Sequence, residues 1–335
     1  MLRKKLVIMA AVILLQPNAF ACSKITHNFG NNQIYTAHTF DFCMDTPVDI
    51  VVSPRGMQES GEVATGKNLM WTSKYASIMV REHFGDYSAS PLGINQKGLG
   101  VHLLYLSSAQ FPPYNSKQAG VSLFKFSKYI LDNYASVAEV VKNIQHIQIV
   151  NFPITLHGMK VAFPAHFAFE DATGDSAVIE YIDGKLKIYH GKQYSVMTNE
   201  PRYDLQLANL AKYQRESSLY TANNLPGGAY SANRFIRAYY YNANLPTKPD
   251  RTRTPVAYMF SLINGVSSPY YANYSQNCGF DASGIASEDT WPTKWSAVLD
   301  NKNAILYFHN NSGESALTVK LNDYDLKRGK AIVIN

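Results

Sequence analysis

Cys22 is one of three cysteines, with Cys43 and Cys278, and it directly follows a segment with the layout of an export signal. Arg3, Lys4 and Lys5 form a positive start, and Leu6 to Leu15 form an apolar run. Gln16-Pro17-Asn18 breaks that run ahead of Ala19-Phe20-Ala21. The small-x-small pattern suits signal-peptide cleavage after Ala21, and the apolar run is too short for a permanent spanning helix. Cleavage there would leave a thiol and a free α-amine on one residue. Their reference pKa values, about 8.5 and about 8, bracket neutrality, so the amine can take the thiol's proton and later return it to a leaving nitrogen. One residue then supplies both nucleophile and base for amide cleavage.

Two other readings of Cys22 remain open on these residues. A lipid-modified cysteine usually has an aliphatic residue three positions before it and small neighbours, where this chain has Ala19 and Phe20. An ordinary buried or disulfide-bonded cysteine is the third possibility. In an exported chain an odd cysteine count leaves one thiol over, so Cys43 and Cys278 could pair if Cys22 stays free.

The elements that must position Cys22 can be read around it. Ser23–Phe29 and Gln33–Phe42 read as strands joined by the turn Gly30-Asn31-Asn32, which puts residue 22 beside a strand carrying His38 and Asp41. Further strands read at Asp49–Ser53, Ser77–Arg81 and Gly98–Leu106, the last almost wholly apolar and so expected to be covered on both faces. Helices follow at Val121–Tyr134 and, from the capping box Ser136-Val137-Ala138-Glu139, to His146. Three strands, His166–Asp171, Ala177–Ile182 and Leu186–Tyr189, are joined by Gly-containing turns. Helices at Tyr203–Arg215, Asn233–Tyr241 and Pro255–Asn264 precede strands at Lys294–Leu299, Ala304–His309 and Ala316–Leu321. Runs of strands and helices without regular alternation indicate α+β with antiparallel sheets.

Removing residues 1–21 with their three cations lowers the formal charge from +6 to +3 and leaves 314 of the 335 residues, read as one domain, 22–335. No basic cluster argues for nucleic acid, and no later segment is apolar enough for a stable membrane anchor. The nine histidines show no zinc-type spacing with one another or with cysteine, so no metal or cofactor is implied.

Several segments, in order along nearly all of the mature chain, resemble the choloylglycine hydrolase and penicillin V acylase family of N-terminal-nucleophile hydrolases. Behind Cys22 stand Ala37-His38-Thr39-Phe40-Asp41-Phe42, Val52-Ser53-Pro54-Arg55-Gly56 and Gly93-Ile94-Asn95-Gln96-Lys97-Gly98-Leu99. Val196-Met197-Thr198-Asn199-Glu200-Pro201, Leu225-Pro226-Gly227-Gly228 with Ser231 and Arg234-Phe235, and Thr293-Lys294-Trp295 complete the set.

The resemblance implies a four-layer αββα sandwich, two antiparallel sheets between helical layers, and often a homotetramer. It implies Cys22 as nucleophile, Asp41 as the carboxylate orienting the α-amine, Asn199 and Tyr105 at the oxyanion, and Arg234 as electrostatic support. Tyr105 stands where relatives that cleave bile salts tend to carry Asn and those that cleave penicillin V carry Tyr. The implied activity is thioester-mediated hydrolysis of an N-acyl amide: a penicillin V-like molecule, a conjugated bile acid or an acyl homoserine lactone. The expected setting is periplasmic or secreted.

His38 departs from the motif, which usually reads Arg there. A histidine is charged only below about pH 6.5 unless perturbed. The expectation is that hydrolysis is retained, with His38 still polarising the thiol or Arg234 carrying more of that load, and that His38→Arg preserves or raises activity. The alternative is an impaired relative acting as a secreted binding protein. The loops around Met57–Ser73 and Phe111–Gly120 are taken as substrate loops.

Overall fold

The computed structural model describes residues 22–270 and 291–334, apart from 157, 162, 312, 314, 315 and 328. The leader and Cys278 lie outside the described residues; Cys43 is disulfide-bonded and Cys22 is free. The chain begins with β1 (Ser23–Asn28) and β2 (Ile34–Asp41), then β3 (Val48–Ser53), β4 (Ser77–Phe84), β5 (Tyr87–Asn95) and β6 (Gly100–Tyr105). After α1 (Leu123–Asn133) and α2 (Val137–Asn143) come β7 (Ala165–Glu170), β8 (Ser176–Ile182), β9 (Lys185–His190) and β10 (Val196–Thr198). Helices α3 (Tyr203–Arg215), α4 (Ser231–Asn244) and α5 (Pro255–Asn264) precede β11 (Thr293–Asp300), β12 (Ile305–Asn310), β13 (Ala316–Lys320) and β14 (Ile332–Ile334).

Two large antiparallel sheets form among the described residues. One has the order β10-β1-β2-β11-β12-β13 and the other β9-β8-β7-β6-β5-β4-β3-β14. Helices α4 and α5 lie on the first sheet and α1 and α2 on the second, so the layers run helix, sheet, sheet, helix. Phe126, Ile130, Phe167 and Phe169 seal α1 to its sheet, with the Phe126 and Phe167 rings 4.3 Å apart. Truncating a ring buried so completely costs about 3–5 kcal/mol. No helix among the described residues is long and apolar enough to cross a membrane.

Local chemistry explains the element limits. In the turn between β1 and β2, Gly30, Asn31 and Asn32 all take positive φ, the region that glycine and asparagine tolerate best. Ser136 Oγ caps α2 at the Glu139 amide, and Thr254 caps α5 ahead of Pro255. Strand β5 goes unread in the sequence because Ser88, Ser90 and Pro91 break its alternation. Pro91 is tolerated inside the sheet because the β4–β5 register slips there, between Val80 and Glu82.

Candidate active site

Cys22 lies at the start of β1, where only 5% of it is exposed. Register brings the end of β2 against it, and Asp41 holds the sulfur from both backbone ends. The Asp41 amide donates to Sγ at 3.5 Å, and the thiol faces the Asp41 carbonyl at 3.8 Å. Ser23 N donates to Thr39 Oγ1 at 2.9 Å, which fixes the strand end.

Arg234 reaches in from the first turn of α4 and is wholly buried. Its Nη1 donates to the Cys22 carbonyl at 2.9 Å and to Ser23 Oγ, and its Nε donates to the Ala229 carbonyl at 3.0 Å. Its Nη2 approaches Asn199 Oδ1 at 3.5 Å. Asn199, just past β10, is fully buried, and its Nδ2 donates to the Tyr105 carbonyl at 2.8 Å. Gln206 on α3 holds the same loop through the Thr198, Asn199 and Pro201 carbonyls. Five of the six expected residues, Cys22, Asp41, Tyr105, Asn199 and Arg234, therefore meet at one place.

Burial dominates the electrostatics. It pushes the Cys22 thiol up to about 12, aided by the Asp41 carboxylate and opposed by the Asp41 amide, Arg234 and the Asn199 side chain. Burial also raises Asp41 to about 7 against the pull of Arg234, and lowers Arg234 to about 10. Asp41 Oδ1 is buried without a hydrogen-bond partner among the described residues. The thiol is thus held protonated beside the Asp41 side chain, which burial raises even though Arg234, Thr293 and Thr39 favour its ionised form.

His38 is not part of this constellation. It shares the inner face of the sheet with Cys22 but hydrogen-bonds His102 of the opposite sheet and stacks on Trp295, and burial pushes it well below the usual histidine range. The expectation that it polarises the thiol is corrected accordingly: a neutral ring bonded elsewhere supplies no charge. Arg234 is the cation beside Cys22.

A cleft opens over the sulfur, bordered by Asp41 and Tyr105 and walled by Phe40, Phe42, Phe84, Leu103, Leu123, Phe124, Phe163 and Trp291. No residue of 57–73 or 111–120 lines it, so the loops taken as substrate loops do not form its walls. The wall residues come from six separate segments, and only their apolar, mostly aromatic character was available beforehand. Among the described residues no group of His, Cys, Asp and Glu could hold a metal ion.

The profile of the linear amide C-N hydrolases, choloylglycine hydrolase family, matches residues 22–334. The chain belongs to this amidohydrolase family. It is 32% identical to the penicillin V acylase of Pectobacterium atrosepticum, over 96% of this chain and 85% of that one. A bile salt hydrolase/transferase of Clostridium perfringens is 28% identical over 58% of this chain and 64% of its own length. Among solved structures, penicillin V acylase from Agrobacterium tumefaciens superposes with a TM-score of 0.76 at 32% identity, covering 93% of this chain and 90% of that one. A mutant of the conjugated bile acid hydrolase from Clostridium perfringens shares the fold, with a TM-score of 0.76 at 20% identity over 94% and 96% of the two chains.

Proposed function

We propose that the chain is exported, loses residues 1–21, and then hydrolyses an N-acyl amide with the thiol of the new N-terminal residue, Cys22. One observation carries the reading: the Cys22 sulfur lies at the foot of an aromatic cleft, beside a buried Asp41 oxygen that has no partner among the described residues. The α-amine freed by cleavage is a donor suited to that oxygen, and once it takes the thiol proton its positive charge would offset the burial and the Asp41 carboxylate that hold the thiol's pKa up. The family match, which begins at residue 22, accords with this.

In the proposed reaction the α-amine takes the thiol proton and Sγ attacks the amide carbonyl carbon. Asn199 Nδ2, which carries a second hydrogen besides the one given to Tyr105, donates to the developing oxyanion together with Tyr105. Collapse breaks the C–N bond, and the leaving nitrogen takes the proton held by the α-ammonium. Water then attacks the thioester, releasing the acid and restoring the thiol. Arg234 favours the thiolate throughout.

The cleft walls suit an aromatic or aliphatic acyl group, and among the described residues Asp41 is the only ionisable group besides Cys22 and Tyr105 along them. A penicillin V-like molecule, a conjugated bile acid and an acyl homoserine lactone all offer such a group. The resemblance further suggests a homo-oligomer in the periplasm or outside the cell. The impaired-enzyme alternative rested on the loss of arginine at position 38, and it weakens because Arg234 supplies the buried cation. Intact mass of the purified protein before and after iodoacetamide, beside Cys22→Ala, tests the reading. A start at residue 22 and one alkylation lost in the variant are expected; a retained leader in active protein would sink it.

A further inference from the structure

His38 heads a chain of buried polar groups that crosses from one sheet to the other. His38 Nδ1 lies 3.1 Å from His102 Nδ1, and His102 Nε2 hydrogen-bonds Glu170 Oε1 at 3.0 Å and lies 2.9 Å from Oε2. Lys24 Nζ reaches Glu170 Oε2 at 3.4 Å, and Asn301 Nδ2 donates to Glu170 Oε1 at 3.1 Å. Lys24, His38, His102 and Glu170 are all fully buried. A carboxylate only accepts, so His102 Nε2 carries its hydrogen; on a neutral ring its Nδ1 then accepts, and His38 Nδ1 must be the donor. Burial favours the neutral form of both rings and lowers Lys24 too, whereas Glu170 is held low against its own burial by His102, Lys24 and the Asn301 amide. The group thus holds one cation and one anion. It is packed to its limit: a Cβ at Gly100, opposite Glu170 in the sheet, would meet Glu170 Oε1 at 1.9 Å.

Three of the strands that carry these groups also lead to Cys22, Asp41 and Tyr105. Lys24 follows Cys22 by two residues on β1 and lies directly across from His38 on β2, while His102 precedes Tyr105 by three on β6. We propose that Lys24, Glu170, His102 and His38 form one electrically balanced clamp between the sheets, in which His38 is a positioning residue that holds the Cys22 end of β1 against the Tyr105 end of β6. Arginine at position 38 would add a second buried cation facing the same single carboxylate. That reverses the expectation that His38→Arg preserves or raises activity. Removing the Lys24 charge at the same time restores the balance, because Lys24 and position 38 are cross-strand neighbours on one face.

The test compares wild type, His38→Arg and the double variant His38→Arg/Lys24→Met. It follows thermal unfolding, the pH profile of Cys22 alkylation by iodoacetamide, and kcat and KM on phenoxymethylpenicillin. In the single variant an uncompensated buried charge should lower the unfolding midpoint by about 5 °C or more. Its alkylation profile should be displaced, and kcat should fall about tenfold, equivalent to about 1.4 kcal/mol of barrier, with KM nearly unchanged. The double variant should recover all three. A single variant with wild-type midpoint and profile, or one alkylated faster at neutral pH, overturns the proposal, and so does a double variant no better than the single. If His38→Arg yields no folded protein, the double decides: folded and reactive supports the clamp, unfolded overturns it. Only the kinetic arm rests on the hydrolase reading; a wild type that alkylates at Cys22 yet cleaves no amide would sink that reading and leave the stability and alkylation arms to judge the clamp.

Discussion

Asn199 Nδ2 donates to the carbonyl oxygen of Tyr105 at 2.8 Å, which ties the loop after β10 to the end of β6. A residue of one sheet is thereby fixed against a residue of the other at the spot where Cys22 emerges. Replacing Asn199 with Ala removes both the tie and a neutral donor at the sulfur. The expected loss in kcat is about 10²–10³-fold. Steady-state kinetics on phenoxymethylpenicillin, with circular dichroism to show the fold intact, checks it.

Arg234→Lys should behave as a severe change. The guanidinium serves the Cys22 and Ala229 carbonyls and Ser23 Oγ and reaches toward Asn199 Oδ1. A lysine cannot span that fork, and buried acceptors left unmet cost about 1–3 kcal/mol each. Expected are a lower unfolding midpoint and a kcat/KM reduced about 100-fold or more. A variant within threefold of wild type on both measures would remove Arg234 from the site.

Glu170 sets an acid limit on stability. Burial alone would raise it, but His102 and Lys24 bring it from 4.5 to about 2. A depressed carboxylate contributes stability that is full above its unfolded value and lost as pH falls through the folded one. That contribution is present above about pH 4.5 and fades as pH falls toward 2. Urea denaturation should show Glu170→Gln well below wild type at neutral pH, the gap narrowing over that window. A gap independent of pH would contradict it.

The cleft wall predicts a binding defect separate from chemistry. Phe124 of α1 faces the cleft and packs on Phe163. Phe124→Ala should raise KM for an aromatic acyl substrate about tenfold, the worth of one lost ring contact, while kcat changes little. Equal losses in both parameters would place the ring in transition-state contact instead.

How far the sequence reached depended on how local each signal was. The limits of α5 were legible to the residue because Pro255 marks its first turn beside the apolar run, and α3 was read with its observed limits as well. The first hairpin was legible from Gly30-Asn31-Asn32. Cys22, Asp41, Asn199 and Arg234 were named from motif resemblance, and the fold brings them together. Strand β5 escaped because its pattern makes sense only beside the slipped register of β4. The clamp escaped for a deeper reason: Lys24 and Glu170 are far apart in sequence, and nothing near either announces the other. His38 was therefore judged against an arginine it does not imitate. The cleft aromatics, spread from Phe40 to Trp291, were visible only as composition.

Gly100 draws one last consequence from the crowded carboxylate. With Glu170 Oε1 occupying the space where any side chain at that position would begin, even alanine is excluded unless the acid retreats. Exchange of histidine for arginine at position 38 is then no single step, since lysine 24, the acid at 170 and the bare backbone at 100 are committed together. Relatives should carry these residues as a set or lack them as a set, and a chain mixing the two should be found only with a compromised interior.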